Sequence, residues 1–163
     1  MTPPLAPDEM VANGSERDVL ETFLDLYRDI AVRKVSGLDA SLAHRELLPS
    51  RTTLARLIAH LASVEREWFA GVLAGDPDPG TRADGGWGAD ESLDALVADY
   101  RAACAQSRAV AARFALEDTV PSERLGRVSL RWIYVHLIEE TARHAGHADI
   151  LRELTDGATG FDG

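Results

Sequence analysis

An all-α four-helix bundle is the fold class predicted by this sequence, on three observations. Four long segments carry apolar residues at spacings of three and four, the period of one helix face. The stretches between them hold the Gly, Pro and Asp residues that end helices and build turns. No segment shows the sustained apolar–polar alternation of a half-buried strand. At 163 residues the chain fits one domain with a real core. The expected division is a flexible tail over residues 1–14 and the bundle over residues 15–163.

The tail carries Pro3, Pro4 and Pro7 among acidic residues and lacks the basic and apolar regions of a signal peptide. Ser15 suits the N-cap of a first helix over about residues 18–35, with Val19, Leu20, Phe23, Leu24, Tyr27, Ile30 and Ala31 as its apolar stripe. Gly37 ends it. After a connection with room for a short turn at residues 38–45, Pro49 and Ser50 precede a second helix over residues 54–73. Its stripe is Leu54, Ile58, Leu61, Val64 and Trp68, and His60 lies within it. Residues 75–88 are rich in Gly, Asp and Pro and form the longest loop, with Trp87 as its candidate anchor. The third helix spans about residues 92–116, built on Leu93, Leu96, Val97, Tyr100, Ala103, Cys104, Ala111 and Phe114. Cys104 falls on that stripe and reads as a small buried hydrophobe, not as a nucleophile. The fourth helix spans about residues 129–154 with Trp132, Ile133, Leu137, Ile150 and Leu151, and Gly157 follows its end.

The fourth helix also carries a polar row. His136, Glu140, His144 and His147 follow at four, four and three residues, so all project from one face. The row rises about 16 Å, too far for one ion with bonds near 2 Å, so only a neighbouring pair can serve. The candidates are His136 with Glu140, Glu140 with His144, and His144 with His147. Glu140 and His144 stand one turn apart, and His60 on the second helix can cross beside them. Two imidazoles and one carboxylate would leave open coordination positions, as in a catalytic site. Glu four residues before His is also an ordinary favourable helix pair. His44 has no partner pattern and is expected on the surface.

Composition narrows the function classes. The formal net charge is −10, which disfavours phosphate backbones and anionic lipid surfaces, so neither nucleic acid nor a membrane is an expected partner. No apolar run is long enough to span a bilayer, and cytoplasmic residence is expected. Cys104 is the single cysteine, which rules out an intrachain disulfide framework and a thiolate cluster. A bound metal must therefore use nitrogen and oxygen.

The run Leu57-Ile58-Ala59-His60-Leu61-Ala62-Ser63-Val64-Glu65-Arg66-Glu67-Trp68, with Glu140-x3-His144-Ala145-Gly146-His147 far downstream, resembles the DinB-like superfamily. The resemblance is nearest to the actinobacterial branch related to mycothiol-dependent maleylpyruvate isomerase and mycothiol transferases, and it extends through Gly157. It implies one metal in a four-helix bundle, held by a histidine of the second helix and a pair four residues apart on the fourth. By position these are His60, Glu140 and His144. Many superfamily members have histidine in place of Glu140, whereas the isomerase group uses glutamate. The common H-R-G-Q ending is here His144-Ala145-Gly146-His147. His147 thus stands where glutamine is usual, as a bystander, a hydrogen-bonding neighbour of the site or a substrate contact. His136 is expected to be half-buried nearby.

The resemblance implies a metal-dependent thiol transferase or isomerase, joining a low-molecular-weight thiol such as mycothiol to a small electrophile. The expected cofactor is one divalent ion, zinc first, with nickel, manganese and iron as alternatives. Competing readings are a metal-dependent hydrolase, an iron oxygenase and a non-catalytic metal-binding stress-response module. The expected partners are a small thiol and a small electrophile, with a homodimer as a candidate assembly. Trp68, Trp132 and Tyr134 are candidates to line the pocket, although core packing is the commoner role for each.

Overall fold

The computed structural model describes residues 4–82 and 91–160. Trp87 lies outside the described residues. The protein is mostly helical with one small two-stranded sheet.

Within the expected tail, α1 (Pro7–Met10) is a single turn whose Glu9 carboxylate accepts the Ala6 N–H at 2.8 Å. Helix α2 (Glu16–Val35) starts at Ser15, where hydroxyl and Asp18 carboxylate exchange bonds with each other's backbone N–H groups. This reciprocal cap satisfies two otherwise orphaned donors. The helix stops at Ser36, and Gly37 takes the left-handed conformation with φ 73°. A short α3 (Ala40–Ala43) follows, capped by Asp39.

Helix α4 (Leu54–Glu65) begins at Thr53, whose hydroxyl accepts the Arg56 N–H at 3.1 Å. From Arg66 to Leu73 the same helix widens to π winding, a form common at functional sites. Gly71 packs closely in that segment: a Cβ there would lie 3.2 Å from the Pro79 ring, which would have to give slightly. Arg66 fixes the widened segment to α5 (Leu93–Ala111) through both carboxylate oxygens of Asp99, at 3.1 and 2.5 Å.

The expected third helix ends earlier than residue 116, because tertiary donors take the carbonyls beyond it. Arg17 holds the Phe114 carbonyl at 2.5 Å and the Arg131 N–H holds that of Leu116 at 2.9 Å. The chain then forms an antiparallel hairpin, β1 (Thr119–Ser122) and β2 (Gly126–Ser129), with Val120 opposite Val128. This hairpin corrects the expectation of a chain without strands. Four residues per strand, one of them Pro121, are too few for a two-residue period to show.

Helix α6 (Leu130–Asp156) is capped by Ser129 and closed by Gly157 at φ 80°. Its buried seam is Ile133, Leu137, Glu140, Thr141, Ala145, Ala148 and Leu151. Trp132 and Ile150 were placed on the apolar stripe by spacing, but they are 38% and 59% exposed because they lie to the side of that seam. Helix α2 packs along α6, and α4 along α5, around two adjoining apolar clusters.

Two cations are buried among these helices. Arg28 on α2 forks onto Glu65 at the end of α4, with Nε to Oε1 at 2.7 Å and Nη2 to Oε2 at 2.6 Å. Its Nη1 also bonds Asp25 at 2.8 Å. Lys34 reaches Asp149 of α6 at 2.6 Å. No described helix is long and apolar enough to cross a membrane.

Candidate metal centre

The site forms where the middle of α4 meets the middle of α6. On α4, Leu57, Ile58 and Leu61 are buried and orient the helix, leaving His60 half-buried at the edge of that face. On α6, Glu140 is a carboxylate set into an otherwise largely apolar seam, 7% exposed. An ionised carboxylate at such depth requires partners that offset its desolvation.

Those partners are the imidazoles of His60 and His144. His60 Nε2 lies 2.9 Å from Glu140 Oε1, and His144 Nε2 lies 3.0 Å from the same oxygen. The two rings meet edge to face with centroids 4.7 Å apart. One ligand atom from each residue fits within 4.8 Å of the others. Arg143, on the turn after Glu140, bonds the second oxygen, Oε2, and lies 3.2 Å from Glu139.

Burial opposes ionisation of Glu140, but the His60 hydrogen bond, the neighbouring His144 and Arg143 outweigh it and hold the carboxyl below its ordinary range. Burial also disfavours the charged form of His144. Glu140 opposes that effect, His60 adds to it, and the net result is a pKa below the usual 6.5. Near neutral pH the site therefore presents an anionic oxygen and a neutral His144 imidazole.

The donor set suits a divalent cation. A tetrahedral ion with bonds of about 2.0–2.1 Å separates its ligands by about 3.3 Å. Displacing the imidazole nitrogens by a few tenths of an ångström from Glu140 Oε1 would bring each nitrogen–oxygen separation to that spacing. Protons and a cation compete for the same ring nitrogens. Zinc affinity is thus expected to fall as pH drops below about 6.5, His144 resisting protonation somewhat longer than an ordinary histidine. A chelator-competition titration would check this, and affinity unchanged down to pH 4.5 would contradict histidine ligation.

The other histidines divide. His147 is exposed, with Nδ1 3.4 Å from His144 Nδ1. His136 is half-buried as expected, but it stands outside the donor set. Its ring stacks on Trp132 with centroids 4.9 Å apart at 21°, and meets Trp68 edge-on at 4.8 Å. Trp68 is buried beneath this pair, and Tyr134 points elsewhere, donating to Glu21 at 2.8 Å. His44 corrects the expectation of a surface residue: it is half-buried, with Nε2 2.9 Å from the Glu91 carbonyl.

Beside His60 a cavity of ≈ 420 Å³ is lined by Ser63, Glu67, Gly71 and Arg82 among others. The Arg82 N–H bonds the Ser63 hydroxyl at 3.1 Å, and its guanidinium pairs with Glu91 and Asp99. Sequence reading missed both this wall and Arg143. The i,i+3 spacing of Glu140 and Arg143 was a visible signal, whereas Arg82 is brought in by the loop alone.

The family described as Mycothiol-S-transferase matches residues 19–157. The chain belongs to the Mycothiol-S-transferase family. No curated protein matches it significantly. The Mycothiol-S-transferase match includes His60, Glu140 and His144 together with His136 and His147. In this family member the chain's own thiol is poorly suited to act as a nucleophile. Burial and, after it, the Glu65 carboxylate push Cys104 up to about 12, against the opposing pull of Arg28. At pH 8 native Cys104 is expected to react with a disulfide reagent on the order of 1,000-fold more slowly than an ordinary thiol of pKa near 8.5. Absorbance of the released thiol, before and after unfolding in guanidinium, checks this.

Proposed function

We propose that the protein is a metal-dependent mycothiol S-transferase built on a DinB-like four-helix bundle. His60, Glu140 and His144 hold one divalent cation, and a low-molecular-weight thiol attacks a small electrophile beside it. The observation that carries this reading is the convergence of two imidazole Nε2 atoms on one Glu140 oxygen in a chain of this family. When bound, the cation supplies Lewis acidity that lets a thiol lose its proton near neutral pH. Zinc suits the nitrogen and carboxylate donors; nickel, manganese and iron are the alternatives.

The chain's residues do the rest. His60 and His144 present nitrogen lone pairs, and Glu140 offsets part of the cation's charge. Arg143 holds Glu140 Oε2, which keeps Oε1 turned toward the imidazoles. Ser63, Glu67 and Arg82 give the adjoining cavity polar walls for the body of a hydrophilic thiol. Trp132 and His136 offer a flat surface for the electrophile one to two turns along α6 from Glu140. In the overall exchange a C–S bond forms and the bond to the leaving group breaks. The leaving group departs with its electron pair, and the thiol proton passes to water.

The test follows free thiol against a panel of electrophiles at neutral pH, with untagged protein in zinc-loaded and metal-free forms. The loaded form should consume mycothiol faster than the metal-free form. Mycothiol should outperform glutathione by about tenfold or more, the scale of a few polar contacts present in one thiol and absent in the other. Equal rates with and without metal across both thiols would overturn the proposal. Metal-dependent ester cleavage without thiol would replace it with a hydrolase.

A further inference from the structure

Helix α6 carries an outer face that packs against none of the described elements. Trp132, Val135, Ile150 and Leu154 remain exposed along the helix, whereas the other large apolar residues left exposed, Leu5, Met10, Leu48 and Leu125, are scattered elsewhere. Single exposed apolar residues are ordinary, but a grouped set marks a contact surface. Between the two apolar ends stand Glu139 and Arg143, each more than half exposed. At about 100° per residue, Trp132, Glu139, Arg143 and Ile150 lie within about 20° of one line along the helix. That line runs opposite Thr141, which is fully buried. The order is symmetric about Thr141: Trp132 and Ile150 each stand nine residues from it, and Glu139 and Arg143 each two.

Gly146 is a separate observation. It lies well inside a 27-residue helix, where glycine is the least favoured residue after proline. A Cβ there would meet nothing within 4 Å, so no described part of the chain requires its absence. An exposed helical glycine lets a second backbone approach closely.

We propose that this face is a homodimer interface, with α6 of a second copy crossing antiparallel on a two-fold axis at the level of Thr141. Residues equally far to either side of that level then meet. Trp132 packs on Ile150 of the partner subunit, Glu139 pairs with Arg143 of the partner subunit, and His136 stands over Gly146 of the partner subunit. Symmetry makes each contact twice. Charge sets the register. Sliding one helix by a turn in either direction would oppose Glu139 to its own copy or Arg143 to its own copy, and a parallel pairing would do both, which costs binding energy. Arg143 can keep Glu140 while it reaches across, because a guanidinium has five N–H donors. The face is about 27 Å long and about 10 Å wide, or about 300 Å² in plan. A standard interface covers about 800 Å² per partner, so the dimer forms reversibly and depends on concentration. The pairing involves no metal ligand and does not depend on the reaction.

Sedimentation velocity of the native protein from about 2 to about 200 μM should show monomer converting to dimer by mass action. Ile150→Glu should raise the dissociation constant by more than about tenfold, since the new charge meets Trp132 at both ends of the interface. Gly146→Gln should weaken the dimer while raising the urea midpoint of the monomer, because glutamine favours the helix more than glycine does; a merely structural defect would lower that midpoint. Glu139→Arg and Arg143→Glu should each be monomeric alone and associate when mixed, because an all-basic stripe then meets an all-acidic one. Circular dichroism checks that every variant is folded. Trp132→Cys and Ile150→Cys chains, mixed with a short bis-maleimide, should cross-link to each other and neither to itself. A native protein still monomeric at about 200 μM, a concentration at which even a weak dimer is populated, overturns the proposal. So does a dimer that Ile150→Glu and Gly146→Gln leave unchanged, which would use another face. Single charge variants that remain dimeric, or cysteine variants that cross-link to themselves, overturn the antiparallel register.

Discussion

Replacing His144 with alanine is expected to reduce zinc affinity by more than about 100-fold and to bring thiol consumption down to the metal-free rate. Loss of an outer hydrogen-bond partner costs about 10–100-fold, and removal of a direct ligand exceeds that because the remaining pair, His60 and Glu140, offers no third donor at this point. The variant should stay folded, since His144 is only half-buried and its neighbours Ala145 and Ala148 carry the apolar contacts of that turn. Metal content of dialysed, untagged protein gives the readout. Full occupancy in the variant would remove His144 from the proposed ligand set, and Cys104→Ser serves as the control expected to keep its metal.

The largest stability effect is expected at Arg28→Ala, a loss of about 3–5 kcal/mol, because removing one partner leaves a buried charge uncompensated. Glu65 is 1% exposed and both its carboxylate oxygens are held by Arg28. Asp25 is better placed, since it retains Arg108 at 2.8 Å. Against a typical total of about 5–15 kcal/mol such a loss is severe, and urea unfolding of the metal-free protein would measure it. The double variant Arg28→Met with Glu65→Leu should recover most of the loss, because an apolar pair of similar volume needs no compensation. A single variant as stable as the native protein would show that water reaches Glu65.

These two effects also separate what a linear sequence reveals from what it conceals. Glu140 and His144 are fixed relative to one another by a single helical turn, so their shared face was readable from spacing alone. Ser15 and Gly157 were equally readable, because caps act within a few residues of themselves. The pairing of Arg28 with Glu65 joins residues 37 apart in sequence, and nothing near either one announces the other. The π winding after Glu65 was hidden for a different reason. Its apolar residues Trp68, Phe69 and Leu73 fit a 3.6-residue period closely enough to pass as ordinary α-helix. The exposure of Trp132 was hidden because hydrophobicity sets a tendency to be buried, whereas the side of the seam on which a residue falls is set by the packed neighbours.

The burial of Cys104 has a consequence for a protein whose proposed work is to bring electrophiles next to a sulfur nucleophile. Any reactive carbon that enters such a site can alkylate the catalyst as readily as its intended acceptor if a thiolate of the chain lies within reach. Here the single sulfhydryl is both sequestered and held protonated, so the exogenous thiol is the soft nucleophile that an incoming electrophile meets. Under the proposed activity the arrangement would protect the chain from alkylation by its own substrate, so that repeated turnover would be limited by the supply of cosubstrate.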